Sequence, residues 1–177
     1  MASYYYWATT LPLLRLDAPL PFTVEAFLSA SAEQVNKRDH ALLVEAVEGG
    51  ESSHPFTRTW QRFERALRSE LASQRSRRKG WVGSAYPSPD GADLRIGNTV
   101  RQALAAEDPL KAELMLLELS FKQLDEQAGF AVFSIEALLA YVLKLQLLER
   151  KNRFVQSAGN SEFERLFSHL QREIARR

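Results

Sequence analysis

Chemistry needs nucleophiles, proton carriers or metal ligands at workable spacing, and this sequence offers few. The histidines His40, His54 and His169 lie far apart, and none has a partner at the i+3 or i+4 spacing that lets one helix present two metal ligands. Each reads as a surface or capping residue. Cysteine is absent, which removes disulfides, cysteine-based zinc sites and thiol nucleophiles and fits a reducing compartment. Gly80-Trp81-Val82-Gly83-Ser84 lacks the lysine of a phosphate loop, and neither GxGxxG nor GxSxG occurs. Asp125 and Glu126 are adjacent carboxylates, but neighbours on a helix point about 100° apart, so they read as a solvated helix end rather than an acid–base pair. The expectation is a non-enzyme with no catalytic residue, no metal and no cofactor.

Two features suit binding instead. Between Arg58 and Lys79 stand Arg58, Arg62, Arg65, Arg68, Arg75, Arg77, Arg78 and Lys79 against only Glu64 and Glu70. Such a run can be a solvated helix face, with its last cations favourably placed at the helix C-terminus. It can also dock an acidic protein surface or neutralise phosphates. The second feature is Tyr4-Tyr5-Tyr6-Trp7, four consecutive aromatics that cannot all enter one core. In an extended segment they alternate sides, two inward and two towards a partner, and the equal alternative is a buried N-terminal strap. The candidate partner-binding residues are Tyr4, Tyr5, Tyr6, Arg75, Arg77, Arg78, Trp81 and Arg153.

The elements that would hold these residues are helices. Thr23 reads as an N-cap flanked by the staple Phe22 and Phe27, opening a helix to about Asn36. A second begins at Asp39 and ends at Gly49-Gly50. A third starts near Pro55–Thr57, with Trp60, Phe63, Leu67 and Leu71 on one face. Residues 80–97, rich in Gly, Pro and Asp, predict a long irregular loop with a short strand pair. Asn98 then caps a short helix to Glu107. Asp108 and Pro109 open the next helix, whose Leu110, Leu114, Leu117, Phe121 and Leu124 form a bundle seam. Ser134 caps a helix to Asn152 that is apolar nearly all round and must lie among several neighbours; Phe133 with Leu138 repeats the staple arrangement. Ser161 and Glu164 form a capping box for a last helix carrying Phe163, Leu166, Phe167, Leu170 and Ile174. The fold class is all-α: one helical bundle domain over residues 1–177.

Composition agrees. With 177 residues, 45% hydrophobic and 25% charged, the chain can bury one sizeable core. Its net charge of +1 makes nucleic acid or acidic lipid a poor obligatory partner. The N-terminus lacks the basic leader and unbroken apolar run of a signal peptide, and no segment is long and apolar enough to span a membrane. The expectation is a cytoplasmic protein, peripheral to the inner membrane only through a complex.

Four segments carry a family resemblance: Tyr4-Tyr5-Tyr6 through Leu11-Pro12; Thr23-Val24-Glu25-Ala26-Phe27-Leu28; Glu107-Asp108-Pro109-Leu110-Lys111-Ala112-Glu113; and the run from Ile135 to Arg150. Together they resemble a family of small, uncharacterised bacterial proteins encoded beside V/A-type ATPase subunits. The last run also looks distantly like the closing helix of the C (or d) subunit of those ATPases, with Glu149, Asn152 and Arg153 in similar places. That subunit is an all-helical, non-catalytic socket joining the central shaft to the rotor ring, about twice as long and built of repeats. The resemblance implies a shortened coupling or accessory subunit whose partners are other V/A-type ATPase subunits, the shaft and the ring. It implies no small-molecule substrate. The alternatives are a nucleic-acid-binding helical domain using the arginines of 58–79 and a helical enzyme with an unrecognised site.

Overall fold

A computed structural model of the chain describes residues 4–50, 52–80, 93–130 and 132–154. Among them every regular element is a helix: α1 (Tyr5–Thr10), α2 (Val24–Gln34), α3 (Lys37–Glu48), α4 (Pro55–Arg78), α5 (Leu94–Ala105), α6 (Pro109–Ala128) and α7 (Ile135–Asn152). The protein is all-α. The strand pair expected within 80–97 falls largely on residues 81–92, and the last helix on 155–177, both outside the described residues.

Local chemistry explains most boundaries. The Thr23 side chain accepts from the Ala26 N–H, and the Phe22 and Phe27 rings stack 6.4 Å apart, as a capped and stapled start requires. Gly49 closes α3 at φ 77°, a left-handed conformation that costs glycine little. Asp108 accepts from the Leu110 N–H, with Pro109 in the first turn of α6.

Beside the start of α7, where Ser134 makes no side-chain capping hydrogen bond, three expectations need correction. Helix α3 starts at Lys37 rather than Asp39, because Asn36 is the cap: its Oδ1 accepts the Asp39 N–H at 2.9 Å. Helix α5 starts at Leu94 rather than after Asn98, capped by Asp93, so the loop ends earlier than residue 97. Gly97 hid this start by its low helix propensity. Burial of Ile96, Val100 and Ala103 between α4 and α6 offsets the cost of one helical glycine, about 1 kcal/mol. The third correction is α1, expected to be extended. Trp7 draws it into a helical turn by stacking on Phe27 at 5.0 Å, and the Thr9 and Thr10 hydroxyls donate to Tyr6 O and Trp7 O. Pro12 then forces Leu11 into extended backbone and ends the helix. The α6 seam differs in detail: Leu116, Leu117, Ser120, Phe121 and Leu124 are buried, while Leu110 is exposed. A helix flanked by both α5 and α7 buries a broader face than a single seam.

Helix α7 is the centre. It packs against α6, α3, α2 and α4, and Leu138, Leu139, Val142, Leu143, Leu145 and Leu148 are all buried. Three of its polar side chains hold the chain segment that crosses it. Tyr141 donates to Pro12 O at 3.0 Å, Lys151 Nζ donates to Leu16 O, and the Val24 N–H donates to Glu149 Oε1 at 2.7 Å. The last contact puts a carboxylate at the N-terminus of α2, the favourable end of the helix dipole.

Leu145 is fully buried. Leu145→Ala is expected to destabilise the fold by about 3 kcal/mol through lost burial and a residual cavity, read by urea titration of helical circular dichroism. Leu145→Asp should abolish the folded signal, because the charge has no partner in the bundle centre. A cooperative, near-normal transition in Leu145→Asp would remove α7 from the centre.

Candidate partner-binding surfaces

The expected partner residues separate into three groups. Tyr4 belongs to the interior, contrary to expectation. It is buried, its hydroxyl donates to Asp39 Oδ2 and accepts from Asn36 Nδ2 at 2.7 Å, and its N–H donates to Phe133 O at 2.9 Å. It therefore ties the first turn of the chain to the start of α3 and to the α6–α7 connection. Burial, followed by the hydrogen bond to the Asp39 carboxylate, pushes its pKa up to about 12.

Tyr5 and Tyr6 stay outside. Tyr6 is 87% exposed, and Tyr5 packs edge-on against Tyr6 and tilted against Phe133, 4.7 Å between centroids. Phe130, Val132 and Phe133 of the α6–α7 connection are exposed as well. The result is an apolar ridge built from α1 and that connection, the composition expected of a contact surface.

The arginines divide by helical register. Arg78 lies about five turns after Trp60 and so shares its angle on α4, which faces the packed side. Its guanidinium reaches Leu104 O, a free carbonyl in the last turn of α5. Arg78 thus caps the end of α5 while remaining exposed. Arg75 and Arg77 are exposed near the end of α4. Trp81 lies outside the described residues.

The remaining arginines meet elsewhere. Between the C-terminal end of α3, the first half of α4 and the last turns of α7 lies a cavity of about 930 Å³. Arg58, Arg65 and Arg68 of α4 line it with Arg150 and Arg153 of α7, and Trp60, Val47 and Leu147 supply apolar wall. Only two carboxylates line it, and both have partners. Glu64 pairs with Arg68 at 3.1 Å, and Glu149 holds the α2 N-terminus. Arg150 pairs with Glu113 of α6. Arg58, Arg65 and Arg153 have no ion pair among the described residues, although Arg65 Nε donates to Gln61 O at 3.3 Å. Of this group the candidate partner residues included only Arg153, while Arg58, Arg65 and Arg68 belonged to the basic run of residues 58–79. The seven-residue step from Arg58 to Arg65, which keeps two side chains on one helix face, was the available signal.

The chemistry-bearing side chains elsewhere are absorbed by the fold. Asp125 pairs with Lys144 and Glu126 with Arg95, so the adjacent carboxylates serve different neighbours. His54 caps α4, its Nδ1 accepting the Phe56 N–H at 3.3 Å, which leaves the proton on Nε2, 3.8 Å from Glu136. Ser31 spends its hydroxyl hydrogen on Leu28 O, so His40 Nδ1 is the donor in the 2.8 Å contact between them. Glu70 is a buried carboxylate receiving Gln74 Nε2 at 2.7 Å, and it does not line the arginine groove.

Tyr4 and Tyr6 should respond oppositely to substitution. Tyr4→Phe is expected to cost about 1–2 kcal/mol in urea denaturation, as two polar partners lose their hydroxyl, whereas Tyr6→Ala should cost almost nothing. Tyr141, like Tyr4, is pushed up to about 12, in its case by burial. An ordinary tyrosine ionises near 10 in the unfolded chain. Both groups therefore contribute stability that is complete below pH 10 and lost between pH 10 and 12. Melting temperature should fall across that window, and fall less in Tyr4→Phe; an identical profile would count against the buried hydroxyl.

Residues 92–174, slightly under half of the chain, match a family model described as "Protein of unknown function (DUF2764)". No curated protein and no solved structure matches the chain. The stretch similar to that family begins at the cap of α5 and takes in α6 and α7, including the Arg150 and Arg153 side of the groove.

Proposed function

We propose that the protein is a non-catalytic coupling or accessory subunit of a V/A-type rotary ATPase, working as a protein–protein adaptor. The reading rests on the resemblance of the run Ile135–Arg150 to the closing helix of the ATPase coupling subunit. One observation carries it from likeness towards mechanism: the charged end of that same run opens onto a groove in which Arg150 and Arg153 meet Arg58, Arg65 and Arg68. An apolar helix buried on several sides makes a stiff body, and arginines at its rim suit a protein partner through forked, bidentate contacts to carboxylates. The aromatic ridge of Tyr5, Tyr6 and Phe133 is built from other elements and offers a separate contact surface, as an adaptor between two partners needs.

Among the described residues no helix is long and apolar enough to cross a membrane. Attachment through the complex, at the cytoplasmic face of the inner membrane, is the corresponding proposal for its location.

Affinity purification of the tagged chain at native abundance, followed by mass spectrometry, is expected to recover central-shaft or rotor-ring subunits in near-stoichiometric amount. A clean preparation with none of them would reject the adaptor role in this complex. Recovery of nucleic acid, with affinity falling steeply as salt is raised, would favour phosphate binding by the α4 arginines instead.

A further inference from the structure

The geometry points to the arginine groove as a docking site for an acidic α-helix of a protein partner, received lengthwise along the first half of α4. The inference deepens the adaptor reading by naming the chemistry of one partner, and it rests on that reading for its biological setting.

Placement of charge is the first argument. Arg58 stands in the first turn of α4, a turn without acidic residues, where the helix dipole is positive. A cation there costs local stability, so the fold itself gives no reason for an arginine at this position. Arg65 follows seven residues later, on the same face and with no carboxylate partner among the described residues. Arg153 faces the same cavity from the end of α7. Three guanidinium groups without an ion pair among the described residues thus line one concavity, while Glu64 and Glu149, which also line it, are engaged.

Spacing is the second argument. Seven residues of helix rise about 10.5 Å, so Arg58 and Arg65 match carboxylates two turns apart on an incoming helix. Arg153, on the α7 side of the groove, is available to a third carboxylate. Trp60, Val47 and Leu147 add apolar surface to a lining that also holds Gln61, Gln146 and Ser52, a mixture that suits the two flanks of an amphipathic helix. A free phosphate would use the cations but leave this apolar surface without a partner, which favours a peptide over a small anion. The cavity volume of about 930 Å³ also exceeds what a single phosphate fills.

A labelled synthetic helix with glutamates two turns apart and leucines on the opposite flank, titrated into the full chain, tests this directly. Saturable binding is expected at low salt, weakening as salt is raised. Affinity should drop at least about tenfold in the double variant Arg58→Glu/Arg65→Glu, whose melting temperature should hold or rise, because both side chains are exposed and a carboxylate suits the first turn. A lysine-bearing version of the peptide should reverse the preference and bind the double variant better. Equal binding to both proteins, or displacement of the peptide by inorganic tripolyphosphate at lower concentration, would overturn the proposal. The same variant separates the two readings in the affinity purification. ATPase subunits recovered with the native chain but lost from the variant support the groove. Equal recovery from both overturns the groove and leaves the adaptor role standing. Absence from both removes the adaptor role, and the peptide titration still decides the groove.

Discussion

Helix α7 has almost no face it can leave in water. Leu138, Leu139, Val142, Leu143, Leu145 and Leu148 point around most of its circumference, and each is removed from solvent by a neighbour. Full burial of one such side chain is favourable by roughly 1.5–3 kcal/mol, so leaving even two of them exposed would consume a large part of a typical folding free energy. The requirement is met by surrounding α7 with α2, α3, α4 and α6. Once that helix is central, the positions of the others follow from covering it.

The same helix organises the polar contacts. Tyr141, Glu149 and Lys151 each bond to backbone of the stretch between Pro12 and Val24, a segment with little regular structure of its own. Backbone groups in such a segment need partners, and α7 supplies them from its edges. The aromatic stack of Trp7, Phe27 and Tyr141 closes the apolar side of that contact. Polar residues of α7 therefore have structural work within this chain, Glu149 above all. Arg153, which bonds none of these backbone groups, lines the groove beside Arg150.

Register on α4 sorts its arginines into different roles. Arg78 shares the angle of Trp60 and turns to the neighbouring α5 terminus, whereas Arg58 and Arg65 share another and face open space. One linear run of positive charge thus becomes a structural cap, an exposed helix end and half of a groove. The other half arrives from α7, more than 80 residues away in sequence.

The six longer helices and some of their caps were legible from residue order alone, because they depend on contacts within a few positions. Thr23 with Phe22 and Phe27, Gly49, Asp108 with Pro109, and the all-round apolar pattern of 135–148 all act locally or through period. Chain order could not decide which local preference yields to packing. Gly97 lies inside a helix because Ile96 and Val100 bury against α4 and α6, and Tyr4 turns inward because Asn36 and Asp39 wait there. The groove has the same origin. Arg58, Arg65 and Arg153 become one site only when α7 is driven to the centre and its charged end emerges beside α4, a juxtaposition that burial of apolar surface creates and no sequence motif encodes.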